Sequence, residues 1–128
     1  MTTAAITDLH DFPALFAIDW FDLGKAPVEV WYARRIGDIP GCAEDLAQTH
    51  VHLVTIHQPD KEAIFMALQG HHWSPNGEAR PHLLAAGLGH TSMSTGDILV
   101  QDGRFLVCVA IGWEELPARA QAEPAPAC

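Results

Sequence analysis

Apolar positions along this chain change their period several times, and each change marks an element. In DLHDFPALFAIDWFDLG, Phe12, Phe16 and Trp20 recur every four residues behind Asp11 and Pro13, which predicts an amphipathic helix starting near Pro13. The period then drops to two in VEVWYARR. Val28, Val30 and Tyr32 fall on one side and Trp31 and Ala33 on the other, as in a strand. After the break Ile39-Pro40-Gly41, CAEDLAQ predicts a short helix, and the β-branched run HVHLVTIH predicts a strand over 50–57. Pro59 suits the first position of a further helix with Asp60 and Glu62 in its first turn. Ile64, Ala67 and Leu68 are its apolar face and Gly70 its stop. Residues 71–80 (HHWSPNGEAR) have the composition of a loop, and a short helix fits 81–87.

The next feature is a hairpin. DILVQ and RFLVCVAI flank Asp102-Gly103, a dipeptide suited to the positive φ angles of a type I′ turn. Counting outward opposes Gln101 to Arg104, Val100 to Phe105, Leu99 to Leu106 and Ile98 to Val107. Ile98, Val100, Phe105 and Val107 then share one face. Gly112-Trp113 bends the chain toward EELP. These elements predict an α+β fold: a mixed or antiparallel sheet of four to five strands, two to four helices packed on it, and a C-terminal β-hairpin. Residues 1–116 read as one domain, and the Ala/Pro-rich 117–128 as a disordered tail.

Charge narrows the function. Sixteen acids against seven Lys and Arg give a formal net charge of −9, and the basic residues are dispersed. Such a field disfavours direct nucleic-acid binding and favours a basic partner. Four aspartates (Asp8, Asp11, Asp19, Asp22) and no Lys or Arg fall within residues 1–24, around Phe12, Phe16 and Trp20. Acidic rims around apolar anchors suit protein contacts. The expected partner-binding residues are Asp8, Asp11, Asp19, Asp22 and Trp20, together with Glu114 and Glu115. No apolar run is long enough to span a bilayer and no secretory signal is visible, so a cytoplasmic setting is expected. Three widely spaced cysteines without a C-x-x-C pair suit a reducing compartment.

Catalytic chemistry is weakly signalled. Seven of the eight histidines lie between His50 and His90. His50 and His52, two apart on a strand, could join a loop histidine such as His72 in a zinc site. No H-E-x-x-H or comparable metal motif is present, and half-exposed strand-end histidines are the commoner reading. Ser74, Ser92 and Ser94 lack a G-x-S-x-G turn, and Cys42 near a helix start is a candidate thiolate only by position. No catalytic residue, metal or cofactor is therefore expected.

The most distinctive stretch is His90-Thr91-Ser92-Met93-Ser94-Thr95-Gly96-Asp97-Ile98. Short hydroxyl side chains satisfy loop amides, and an Asp just before a strand binds the amides of its own turn. Asp97 and Gly103 are thus expected to be structural, alanine at Asp97 costing about 1 kcal/mol. With the hairpin and Gly112-Trp113, the stretch resembles the C-terminal block of YodL-like domains, S-[LM]-S-x-[GS]-D-[IV] followed by a hairpin and G-[FW]. The resemblance covers about residues 82–116. It implies a phage or mobile-element setting and an α+β fold, and it transfers no catalytic residue. The expected function is a non-enzymatic binding protein that inhibits a host defence complex, anti-CRISPR-like, by occupying a basic, nucleic-acid-handling surface. The alternatives are an accessory mobile-element module without inhibitory role, or a histidine-based metal-dependent enzyme.

Overall fold

The computed structural model describes residues 4–22 and 24–116; the tail expected over 117–128 lies outside the described residues. Its elements are α1 (Pro13–Phe21), β1 (Val28–Ala33), a 3-10 turn (Ala43–Asp45) leading into α2 (Leu46–Thr49), β2 (His50–Ile56), α3 (Lys61–Ala67), α4 (Gly70–Trp73), α5 (Arg80–Ala85), β3 (Ile98–Gln101), β4 (Arg104–Cys108) and β5 (Trp113–Glu115). The strands form one sheet in the order β2-β1-β3-β4-β5, and every pairing is antiparallel. The fold is α+β.

The β3–β4 hairpin has the register counted from its turn, Gln101 opposite Arg104 through Ile98 opposite Val107. Asp102 and Gly103 carry φ angles of 53° and 76°, the left-handed pair that matches the twist of the flanking strands. Beyond it the chain folds back again, and β5 pairs Trp113 with Cys108 and Glu115 with Leu106.

The sheet buries both faces. On one, Val30 and Tyr32 of β1 pack with Phe12 just before α1, Leu15 of α1, Ile64 of α3 and Trp73 of α4. On the other, Trp31, Ile98 and Val107 pack against Leu46 of α2. Full burial of each large side chain stabilises by about 1.5–3 kcal/mol. The alternation of β1 thus sorts its side chains between two cores. In β2 the alternation breaks: Val30 faces Val54 but Trp31 faces His52, leaving Leu53 as an extra, bulged residue. The bulge lets Leu53 and Val54, adjacent in sequence, enter the same core.

Several local expectations are revised. Among the described residues there are five short α-helices, against the two to four expected. Asp60 caps α3 by accepting the amide of Glu62, so Pro59 lies one residue outside. Gly70 begins α4 instead of ending α3. Residues 70–73 coil because Trp73 is fully buried, with its indole N–H donating to the Thr91 carbonyl at 3.1 Å. Tertiary burial overrides the loop composition. The ring series Phe12, Phe16, Trp20 does not form one buried face. Phe12 precedes the helix and turns fully inward, Leu15 takes the core position on α1, and Trp20 is 64% exposed.

Candidate functional site

The hydroxyl-rich stretch before β3 is a structural clasp. Asp97 is fully buried. Its Oδ1 accepts the Ala33 amide at 2.8 Å from the end of β1. Its Oδ2 accepts the Ser94 amide at 2.8 Å and the His90 Nε2–H at 2.9 Å. The His90 ring lies parallel to Tyr32 at 4.7 Å, and the Tyr32 hydroxyl donates to the Thr91 carbonyl at 2.8 Å. Burial, aided by the Asp97 charge, raises the Tyr32 pKa well above its ordinary value, so Tyr32 stays a neutral donor. Ser92 Oγ accepts the Gly70 amide at 2.7 Å, and Ser94 Oγ donates to the Ser92 carbonyl. Ser74 Oγ accepts the Ala79 amide. These hydroxyls are engaged with backbone, and Cys42 is fully buried.

The histidines weighed as an alternative metal set, His50, His52 and His72, have separate partners. The Nε2–H of His50 donates to the Gly96 carbonyl at 2.6 Å, and its Nδ1 accepts from the Thr49 hydroxyl at 2.7 Å. His52 stacks on Trp31 at 5.0 Å and meets Thr55 Oγ1 at 3.0 Å. His72 is exposed on α4 beside His71. Among the described residues no group of three or more His, Cys, Asp or Glu side chains is placed to hold a metal ion.

Burial lowers the His50 pKa from its ordinary 6.5, so the folded protein holds it neutral. Stability from this site is present above pH 6.5 and is lost as pH falls toward the depressed folded pKa, because the unfolded chain takes up the proton first. His50→Gln should flatten the fall in stability across that interval in pH-dependent urea melts. An unchanged slope would assign the effect to other groups.

The expected partner-binding residues divide. Asp8 is exposed and accepts the His10 amide at 2.9 Å and its Nδ1–H at 2.6 Å. Those bonds hold the Asp8 carboxyl below the usual range, the amide contributing most. Asp11 is exposed. Asp19 Oδ1 accepts both the His57 amide at 2.9 Å and its Nδ1–H at 2.8 Å, and Asp22 accepts Gln58 Nε2–H at 2.9 Å. These two aspartates therefore also tie α1 to the chain leaving β2. At the opposite edge of the sheet, Glu115 pairs with Arg104 at 3.0 Å in an exposed ion pair of little energetic weight, and Glu114 faces solvent. Glu114 and Glu115 thus lie on β5 while the aspartates lie beyond β2, at the two ends of the strand order.

Around α1 the rings of Phe16 and Trp20 lie nearly parallel at 6.1 Å, and His10 abuts Phe16 at 5.1 Å. Beside them runs a groove of about 410 Å³ between the N-terminal segment, α1 and the end of β2. The segment is held there because the Ala5 and Ile6 amides donate to the His52 and Leu53 carbonyls, each at 2.8 Å, on the outer side of β2. His10, His57 and Thr55 join the site only through folding. The Asp8-Leu9-His10 spacing was the one local signal that could have pointed to the first of them.

The architecture and this surface define a small α+β domain with an acidic, aromatic face beside a groove. No protein-family model, curated protein or solved structure matches the chain.

Proposed function

We propose that the protein is a non-enzymatic binding protein of a phage or mobile element that occupies a basic, nucleic-acid-handling surface of a host defence complex and inhibits it, in the manner of an anti-CRISPR. The observation that carries the reading is the ring pair of half-buried Phe16 and exposed Trp20, the latter 64% exposed, in a segment that holds Asp8, Asp11, Asp19 and Asp22 and no Lys or Arg over residues 4–22. An exposed tryptophan on an acidic segment without compensating bases favours a partner of opposite charge, through steered encounter and then ring burial. The net charge of −9 argues for contact with the protein part of such a complex rather than its nucleic acid. No helix among the described residues is long and apolar enough to cross a membrane, and a cytoplasmic site of action belongs to the proposal.

The test uses a host whose CRISPR interference complex restricts a targeted phage. The full chain should restore plating. Trp20→Ala should weaken binding to the purified complex by about 30-fold, equivalent to the about 2 kcal/mol of an interface hot spot. Asp11→Lys should slow association, and raised salt should slow the wild type in the same direction. Both positions are exposed, so melting temperatures should stay unchanged. Interference unaffected by the wild-type protein, or equal inhibition by a natively folded Trp20→Ala variant, would overturn the reading.

A further inference from the structure

The groove beside the ring pair is more specific than an acidic surface, and its reading rests on the partner-binding role proposed above. One wall is the segment carrying Ile6, Asp8 and His10, another is Phe16 and Asp19 of α1, and Thr55 and His57 close the end. Among the described residues no Lys or Arg lines it. The titratable groups that face it are two carboxylates and two imidazoles, arranged as two pairs. Asp8 Oδ1 is bound to His10 Nδ1 at 2.6 Å, and Asp19 Oδ1 to His57 Nδ1 at 2.8 Å. Among the described residues neither Asp8 Oδ2 nor Asp19 Oδ2 accepts a hydrogen bond. Each carboxylate is thus oriented through one oxygen and keeps the other as an acceptor. The Asp19 side chain is 18% exposed, so its charge is only partly screened by water.

We propose that this groove receives an arginine side chain from an extended basic segment of the partner, the guanidinium lying against the Phe16 ring and donating to the free oxygens of Asp8 and Asp19. The groove volume, about 410 Å³, lies in the range of pockets that enclose small ligands. Arginine fits better than lysine for three reasons. Its planar fork carries several N–H groups that can serve two carboxylates at once, its face packs on an aromatic ring, and it is less strongly hydrated than an ammonium. The histidines orient the acids, and the ring pair supplies the apolar contact.

The probe is a fluorescein-labelled nonapeptide of glycine and serine with one central arginine, alongside lysine and citrulline counterparts, titrated into the full chain. Arginine should bind about tenfold tighter than lysine, and citrulline, which keeps the shape but loses the charge, should bind weaker still. Asp19→Asn retains an acceptor for His57 and should weaken arginine binding by about five- to tenfold. Asp8→Asn, at an exposed position, tests the same point without touching the Asp19–His57 link. Equal binding of arginine and citrulline, equal binding of arginine and lysine, or wild-type affinity in both Asn variants would overturn the assignment. The two readings fail separately. A protein that blocks interference but ignores the charge of the peptide loses the groove assignment and keeps its inhibitory role. One that discriminates the peptides but leaves interference intact keeps the groove and loses that role.

Discussion

Replacing Asp97 by alanine should lower the stability of the protein by about 3–5 kcal/mol, well beyond the about 1 kcal/mol expected of a loop hydrogen bond. The carboxylate is fully buried and accepts from three residues on two sides: Ser94 in its own turn, His90 seven residues back, and the Ala33 amide at the end of β1. Alanine would leave those donors facing apolar surroundings, and each unsatisfied buried donor costs about 1–3 kcal/mol. The backbone of Asp97 also receives the Cys108 amide at 2.8 Å, so relaxation of the loop to admit water would disturb β4 as well. Thermal unfolding should show a fall of roughly 10–20 °C for this chain length. Asp97→Asn is the informative companion. Its carbonyl can keep the Ala33 amide, and a change of tautomer lets His90 accept from the new amide group, but Ser94 N–H then meets a donor. The asparagine variant should lie between alanine and wild type. If alanine costs no more than asparagine, the bond to β1 is not holding the sheet.

Gly96→Ala should be comparably damaging, at about 3 kcal/mol or more, although it adds a single methyl group. Gly96 has a φ of +97°, and a Cβ there would sit 2.9 Å from the Asp38 carbonyl oxygen and 3.0 Å from the Gly37 carbonyl carbon. Both obstacles are backbone, so no side chain can swing aside. The loop must move instead, and three contacts move with it: Gly96 N–H to the Cys108 carbonyl at 2.8 Å, Gly37 N–H to the Thr95 carbonyl at 3.0 Å, and the His50 bond to the Gly96 carbonyl at 2.6 Å. Gly103 is the matched control. It also has positive φ, at +76°, but nothing lies within 4 Å of its would-be Cβ. Gly103→Ala should therefore cost only the backbone strain, about 1 kcal/mol. Urea midpoints compare the two directly. Equal losses would mean that the close approach to residues 37–38 is absent in solution.

These two positions explain why the stretch from His90 to Ile98 stands out in the sequence without being a catalytic site. Its residues are constrained because one short loop must satisfy β1, β3, β4 and the start of α4 together. The YodL-like resemblance expected over residues 82–116 rests on the same side chains, and no protein-family model matches the chain. The functional proposal rests elsewhere, on α1 and the segment before it.

The candidate surface was legible in outline only. The density of aspartates without compensating bases in residues 1–24 is plain from composition, and folding places them on α1 and the segments that flank it. The division of labour within it was not. Asp19 and Asp22 meet His57 and Gln58 across 38 and 36 residues, and no periodicity encodes a partner so remote. Glu114 and Glu115 looked equivalent to the aspartates, yet they occupy the far edge strand.

What the sequence determined by itself is local. The hairpin register follows from a two-residue turn whose backbone angles only certain residues tolerate. The start of α1 follows from a proline that fits only the first turn, and the sorting of β1 follows from strict alternation. What only the tertiary structure decided is which distant groups meet. The Leu53 bulge, the exposure of Trp20, the coiling of residues 70–73, and the bonds from Asp97 to Ala33 and from His50 to Gly96, 64 and 46 residues apart, all belong to this second kind. The physical reason is that dihedral preference and periodicity act over a few residues. Burial and hydrogen-bond satisfaction are settled by whichever groups the packed chain brings together.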